Sequence, residues 1–444
     1  MIDNLRSVFS ASKLESLARI TRFVQRSSKL SAEKFLDLLI KDASNESGMS
    51  LLAYSNELSS VHGISVSAQG IDDRFNDYAV KFMRELVNTV FSKQVAHPFE
   101  ASFLKGYTSV CIFDSTKLEL PEGMCDDFPG FGGGASDAGI SIQYRYDLKN
   151  GVGCSLDVYP ATYPDSKYTE EISVNEKSLE IFDLGYVSSS FLKRLEEGGS
   201  DYVCRLHSQS DVYDLEGKKL NLQKIYRWMR FYHIPVFEQD VLVGAKRFPS
   251  RLVINLVDEQ TYQKRLSKIK KESHKKGYKV SDDYKIRMHM NLMLTNSDPQ
   301  EIPASKVYLL YKFRWQIELF FKSWKSSGWN LNKIKEVKYE RYMCLLYAKI
   351  LMIILSDQIY SIFAQRHYRQ DKKILSRFKC VKTLCQYIDL LRGLINASVY
   401  KIKEILDKIS LLFSRGHILC QRKNRLNYSE LIGCISICRF SKYF

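Results

Sequence analysis

Apolar residues recur at threes and fours through LESLARITRFVQR, KFLDLLI and DYAVKFMRELVNTVF, so the chain up to about residue 104 is predicted to be helical. Between these runs, MSLLAYSNELSSVHGISVSAQGIDDRFN reads as a helix, a turn at His62-Gly63 and a second helix opened by a serine cap. A helix-turn-helix gives this pattern, and so does any small helical bundle. From Tyr107 the period changes. TSVCIFDST is a near-continuous apolar run rich in β-branched and aromatic residues, as expected of a central strand buried on both faces, and it stops at Asp114. ISIQYRYDL and the stretch from Gly151 to Ala161 read as a hairpin, because the intervening Asn150-Gly151 supplies the positive φ angles of a tight turn. SLEIFDLGY is a second apolar strand ending in an acid, Asp183. FLKRLEEGG follows as a helix with a glycine stop, and DYVCRLHS as a further strand. This order predicts a mixed α/β sheet.

The segment from about 209 to 300 interrupts that alternation. KRFPSRLVINLV and MHMNLMLTN read as strands, while QKRLSKIKKESHKKGYK between them carries eight basic residues with little apolar periodicity. Solvated surface and an arm that tracks a phosphate backbone both fit such a run. Next comes YKFRWQIELFFKSWKSSG, residues 311 to 328, read as one helix. At about 100° per residue, Tyr311, Arg314, Glu318, Lys322 and Lys325 form one stripe, and Phe313, Ile317, Phe320 and Trp324 form another on the opposite side. The polar stripe on its own is explained by a row of solvated ion pairs, Arg314 with Glu318 and Glu318 with Lys322. Beyond about residue 345 the pattern is helical to the end.

Composition narrows the partners. The chain has 444 residues, 66 Lys and Arg against 50 Asp and Glu, and a formal charge of +16, which favours a polyanion, best satisfied by nucleic acid. At 45% hydrophobic and 12% aromatic it can bury substantial cores, so a folded, soluble protein is expected. The longest apolar stretch, Cys344 to Leu355, is too short to span a bilayer and contains Lys349, so a buried helix is expected and no membrane partner. No signal peptide opens the sequence. The ten cysteines are scattered, and the closest pairs, Cys380 with Cys385 and Cys434 with Cys438, lack the paired spacing of a zinc site. Reduced thiols and a cytoplasmic location follow as expectations.

Three carboxylates stand out by position: Asp114 and Asp183 at strand ends, and Glu318 opposite the apolar stripe of its helix. A cluster of acids at a sheet end is tolerable chiefly when cations neutralise it. Two Mg²⁺ ions, with Mn²⁺ as a substitute, would do so, one activating water or a 3′-hydroxyl and the other stabilising the leaving oxygen. Together these features resemble the DDE transposases of bacterial insertion sequences, specifically the group marked by Y-x2-R-x3-E-x6-K around its third acid. Here that signature is Tyr311, Arg314, Glu318 and Lys325. CIFDSTKLELP resembles the first-acid strand of the family. IFDLGYVSSSFLKRLEEGGSDYVCRL is similar to its second-acid block, with Leu184 where a basic residue is frequent.

The resemblance implies a ribonuclease-H-like catalytic core interrupted by a β-rich insertion and flanked by helical regions. The expected divisions are an N-terminal helical DNA-binding region at 1–104, core at 105–208, insertion at 209–300, core with the signature helix at 301–345, and a C-terminal helical region at 346–444 with a candidate role in dimerisation. It further implies Asp114, Asp183 and Glu318 as catalytic metal ligands, with Tyr311, Arg314, Lys322 and Lys325 on DNA. The enzyme would act as a homodimer in a synaptic complex on double-stranded DNA, cutting its element's terminal inverted repeats and joining the 3′ ends to target DNA, with excision through a DNA hairpin. A metal-dependent endonuclease of the same fold and an inactive DNA-binding descendant are the alternatives.

Overall fold

The computed structural model describes residues 2–418 apart from 27, 46, 95–103, 208–209, 327 and 372. Cys434 and Cys438, and the rest of the C-terminal region after 418, lie outside the described residues. Among the described residues, nine strands build one sheet: β1 (Ser109–Glu119), β2 (Gly139–Asp147), β3 (Val152–Pro160), β4 (Ser178–Ile181), β5 (Asp201–Arg205), β6 (Val212–Tyr213), β7 (Val236–Val243), β8 (Phe248–Leu256) and β9 (Met290–Thr295), in the order β3-β2-β1-β4-β5-β9-β8-β7-β6. β1 runs antiparallel to β2 and parallel to β4, and β4 is parallel to β5. β2 and β3 form the predicted hairpin, with Gly151 at φ +71°. The β-rich segment does not stand apart, because β9 pairs antiparallel with β5 and carries β8, β7 and β6 on outward.

Alternation along the strands divides the sheet's two faces between separate cores. Val110, Ile112, Leu179 and Ile181 point into a large core shared with the N- and C-terminal helices. Phe113, Phe182 and Tyr202 point the other way and pack with Phe191 and Leu195 of the helix Ser189–Glu197. Across the second face, among the described residues, lies a buried ion pair, Arg145 of β2 with Glu180 of β4.

The N-terminal helices and the described C-terminal helices come together. The helix Tyr339–Asp371 packs against Ala32–Ala43 and Asp77–Ser92, and 89% of its most apolar window is buried inside the protein. Lys349 within it donates to the Trp329 carbonyl at 2.7 Å, which satisfies a charge that length and composition alone would set in a membrane-long helix. Arg392 joins Asp37 and Glu57 at 2.7 and 2.8 Å, linking the helix Ile388–Arg392 to the N-terminal helices.

Three sequence expectations change. The strand bearing Asp114 does not stop there but runs on to Glu119, because β2 pairs with it along its length, from Cys111↔Asp147 to Glu119↔Gly139. In the N-terminal region, the helix Leu51–His62 ends as expected at Gly63, φ +64°, but the serine-capped helix after it, Ala68–Asp72, has only five residues. The signature stretch is two helices, Ala304–Lys312 and Trp315–Ser326. At their junction Phe313, Arg314, Gln316 and Ile317 donate to carbonyls three residues back, a tightened turn that shifts Tyr311 around the axis relative to Glu318.

Candidate active site

The site begins with register. β1 and β4 pair in parallel up to Ile112↔Ile181, and β4 then ends. Two residues further on each chain are Asp114 and Asp183, so parallel pairing alone brings them level at the point where the strands part. Asp183 remains extended, at φ −89° and ψ 173°, before the turn Leu184–Tyr186. Asp114 pairs with Tyr144 of β2 and so shares a sheet face with it. Tyr144 and its neighbour Tyr146 receive the helix Trp315–Ser326: Tyr144 meets Trp324 at 4.9 Å and Tyr146 meets Phe320 at 4.6 Å between ring centroids. Phe313, Ile317, Phe320 and Trp324 are all buried, as their spacing predicts. Docking of that stripe on β1 and β2 sets Glu318 over the acids.

Two signature residues then connect the three carboxylates. Arg314 Nη1 donates to Asp114 Oδ2 at 2.7 Å, and its Nη2 donates to Glu318 Oε1 at 2.8 Å. Tyr311 donates its hydroxyl to Asp183 Oδ1 at 2.9 Å. The Arg314 side chain is only 12% exposed, with Asp114 at 21% and Glu318 at 33%, so this is no solvated ladder along one helix. Lys325 lies one step away, donating to the Lys117 carbonyl of β1 at 2.7 Å, and Lys322 stays exposed. The expected Glu318–Lys322 pair is not among the ion pairs of the described residues.

The electrostatics are strained in one direction. Burial pushes the Asp114 carboxyl up to about 6, against the opposing pull of Arg314 and the Ser115 amide, and the charges of Asp183 and Asp165 add to the rise. Burial also works against the Arg314 guanidinium, but Tyr311, Asp183 and Asp114 outweigh it and hold the proton more firmly than usual. The Tyr311 phenol is raised by burial and then by Asp183, so it stays a donor. Burial lowers Lys325 from its ordinary value.

Two participants carry no sequence signal. Asp165 starts the short helix Asp165–Tyr168 and is held by Gln143 Nε2 at 2.8 Å, with Gln143 in turn accepting from Tyr186 at 2.7 Å. Arg205 ends β5, is exposed, and its charge acts on Tyr311. A loop aspartate and a strand-end arginine look like surface residues until the sheet is assembled.

The donor set can be tested against a divalent cation. Carboxylate oxygens are the right chemistry for a hard ion. Asp183 Oδ2 and Glu318 Oε2 have no protein hydrogen-bond partner among the described residues, and Asp114 is short of positive charge. The chemistry of these donors therefore suits such an ion. Among the described residues, however, no group of three acids, histidines or cysteines stands close enough to hold one ion together. Arg314 lies between Asp114 and Glu318, bonded to both.

The sheet levels two aspartates, and the helix that crosses it presents a glutamate through an arginine. A family model described as the transposase DDE domain matches residues 106–355. The chain belongs to that family, the DDE transposases of bacterial insertion sequences. It is 28% identical over 454 residues to the transposase for insertion sequence element IS231F of Bacillus thuringiensis subsp. israelensis, covering 98% of this chain and 95% of that one. It is 27% identical over 447 residues to the transposase for insertion sequence element IS1151 of Clostridium perfringens, covering 96% and 93%. A shorter match, 24% over 254 residues, links it to the putative transposase InsL for insertion sequence element IS186A of Escherichia coli K12.

Proposed function

We propose that this transposase binds the terminal inverted repeats of its element, cuts the DNA at the ends and joins the freed 3′ ends to target DNA in a cut-and-paste reaction. The observation that supports this reading most is the contact set of Arg314 and Tyr311, which ties Asp114, Asp183 and Glu318 into one site across 200 and 128 residues of sequence. Strands β3-β2-β1-β4-β5 are read as a ribonuclease-H-like core, and β6 to β9 with their helices as the insertion between second and third acids. Asp114, Asp183 and Glu318 would hold two Mg²⁺ ions, or Mn²⁺ in their place, whose chemistry when bound is to activate water or a 3′-hydroxyl and to stabilise the leaving oxygen.

The protein's own groups do the rest. Arg314 spaces the Asp114 and Glu318 carboxylates and sets a buried positive charge beside the place where a scissile phosphate must lie. Tyr311 orients Asp183 by its hydrogen bond. Lys325, anchored on the Lys117 carbonyl, and exposed Lys322 extend a basic margin along the helix for flanking phosphates. The N-terminal helices would help to select the element end, and a homodimer would pair two ends.

The test is cleavage of end DNA by purified protein with Mg²⁺. Asp114→Ala or Asp183→Ala should abolish cutting while leaving folding and DNA binding largely intact. Cutting by either variant near the wild-type rate removes that acid from the site, and cutting by the wild type without any joined product makes it an endonuclease.

A further inference from the structure

The run QKRLSKIKKESHKKGYK takes regular structure. It forms most of an 18-residue helix, Glu259–Lys276, capped by Asp258 and closed at Gly277 with φ +70°, and none of its residues is buried. Its partly covered side carries Tyr262, Arg265, Leu266 and Ile269. Tyr262 stacks on His289 at 3.5 Å between centroids. Arg265 donates to the carbonyls of Met288 and Met290 at 2.9 and 3.3 Å and to Asn291 Oδ1 at 2.6 Å. These bonds fix the helix on the strand that follows it. On the opposite side Lys264, Lys268, Lys271 and Lys275 step by four, three and four, so they form a stripe within roughly 60°. All four are exposed, and none takes part in an ion pair among the described residues, whereas Lys276 is paired with Glu272 at 2.8 Å.

Topology locates this stripe. β5 is parallel to β4, so its C-terminal end, Arg205, lies at the same sheet edge as Asp183. β9 is antiparallel to β5, with Arg205↔Met293, and β8 is antiparallel to β9, with Leu256↔Met290. The end of β8 and the start of β9 therefore lie at the edge where the acids sit, and the basic helix is the connection between them. From β1 to β8 is four strand spacings, ~19 Å at about 4.8 Å each. That is about six base pairs of duplex at roughly 3.4 Å each, and an 18-residue helix is ~27 Å long, about eight more. Arg205 stands between the two regions: its charge is felt at Tyr311 on one side and at Arg265 on the other.

We propose that Arg205 and the stripe Lys264, Lys268, Lys271 and Lys275 form a rail that grips the phosphate backbone of the same duplex being cut, starting about six base pairs from the scissile position. This rests on the transposase reading above. A fixed row of unpaired lysines on a rod anchored at the catalytic edge suits a backbone better than bases, since it offers charge without groove-reading side chains. The rail adds affinity and alignment, not chemistry.

The experiment compares wild type with the quadruple Lys264→Gln, Lys268→Gln, Lys271→Gln, Lys275→Gln variant and with Arg205→Gln, using full-length protein. Binding is titrated against salt on an end duplex extending 20 base pairs to each side of the cut, and on duplexes shortened to four base pairs on one side or the other. On the long duplex the quadruple variant should lose at least tenfold in affinity, and its plot of log affinity against log salt should flatten by about 0.9 for each lysine engaged, up to ~3.6. Shortening one side should bring wild type and variant together. Equal slopes on the long duplex, or a slope difference that survives shortening of both sides, overturns the proposal. So does normal end binding with loss confined to strand transfer, which would assign the helix to target DNA. If the wild type itself neither binds nor cuts end DNA, the transposase reading fails instead.

Discussion

Asp114 is raised to about 6 from an ordinary 3.8, a difference of roughly two units, so its ionised form costs the folded protein about 3 kcal/mol at neutral pH. Asp114→Asn removes that charge at nearly constant size. One amide oxygen cannot serve both the Ser115 amide at 2.9 Å and Arg314 at 2.7 Å, and losing one such bond costs about 1 kcal/mol. A net stabilisation of about 2 kcal/mol should remain at pH 7, or ~4–8 °C in the midpoint of a domain of about 250 residues. The pH dependence has a definite sign. A carboxyl whose folded value is raised lets the native state hold a proton that the unfolded chain releases between about 3.8 and 6, so wild-type stability falls as pH rises through that window. The variant's advantage should therefore shrink to about a third by pH 5. The assay is thermal unfolding of both proteins in chelator-containing buffer at pH 7 and pH 5, with Mg²⁺ restored in a parallel series. Added Mg²⁺ should stabilise wild type more than the variant. An Asp114→Asn protein no more stable than wild type at pH 7, or equally advantaged at both pH values, would refute the account of a carboxylate held short of positive charge.

Other outcomes follow from the same geometry. Glu318→Gln should abolish single-turnover cleavage at saturating protein with DNA affinity held or increased, whereas Lys325→Ala should flatten the salt dependence of binding by about 0.7 to 0.9, and an unchanged slope would remove it from the DNA contacts. Glu180→Ala leaves Arg145 charged and unpaired inside the sheet and should cost about 3–5 kcal/mol, read as a large drop in the thermal midpoint. Gly328, at φ +109°, has the Cβ of Cys385 2.6 Å from where its own would be, so Gly328→Ala should lower the midpoint, and normal stability would show that the turn can adjust. Deleting the residues before about 104 should cost discrimination between end and random DNA. Because Arg392 ties Asp37 and Glu57 to the C-terminal helices, point substitutions on the exposed faces are the cleaner form of that test.

Local pattern determined much of this protein. Alternation and β-branched runs marked β1, β4, β5, β8 and β9, and the threes and fours of Phe313, Ile317, Phe320 and Trp324 marked the face that the structure buries. These are short-range quantities, since a side chain's exposure along one element repeats with that element's own period. The signature spacing singled out Arg314, Glu318 and Tyr311 for the same reason. What a periodic pattern cannot contain is the distant surface on which an element lands. Nothing near Arg314 in sequence points to Asp114, 200 residues earlier, and the pairing of Arg314 with Glu318 alone is what a solvated ladder would also give. Only the parallel register of β1 with β4 levels the two aspartates, and only the docking of a helix on Tyr144 and Tyr146 lowers an arginine between three acids. The basic run shows the same division: its charge was plain in the sequence, but its anchoring depends on Tyr262 and Arg265 finding His289, Met288 and Asn291. Its place at the catalytic edge depends on β9 joining β5, a long-range pairing that no local preference encodes.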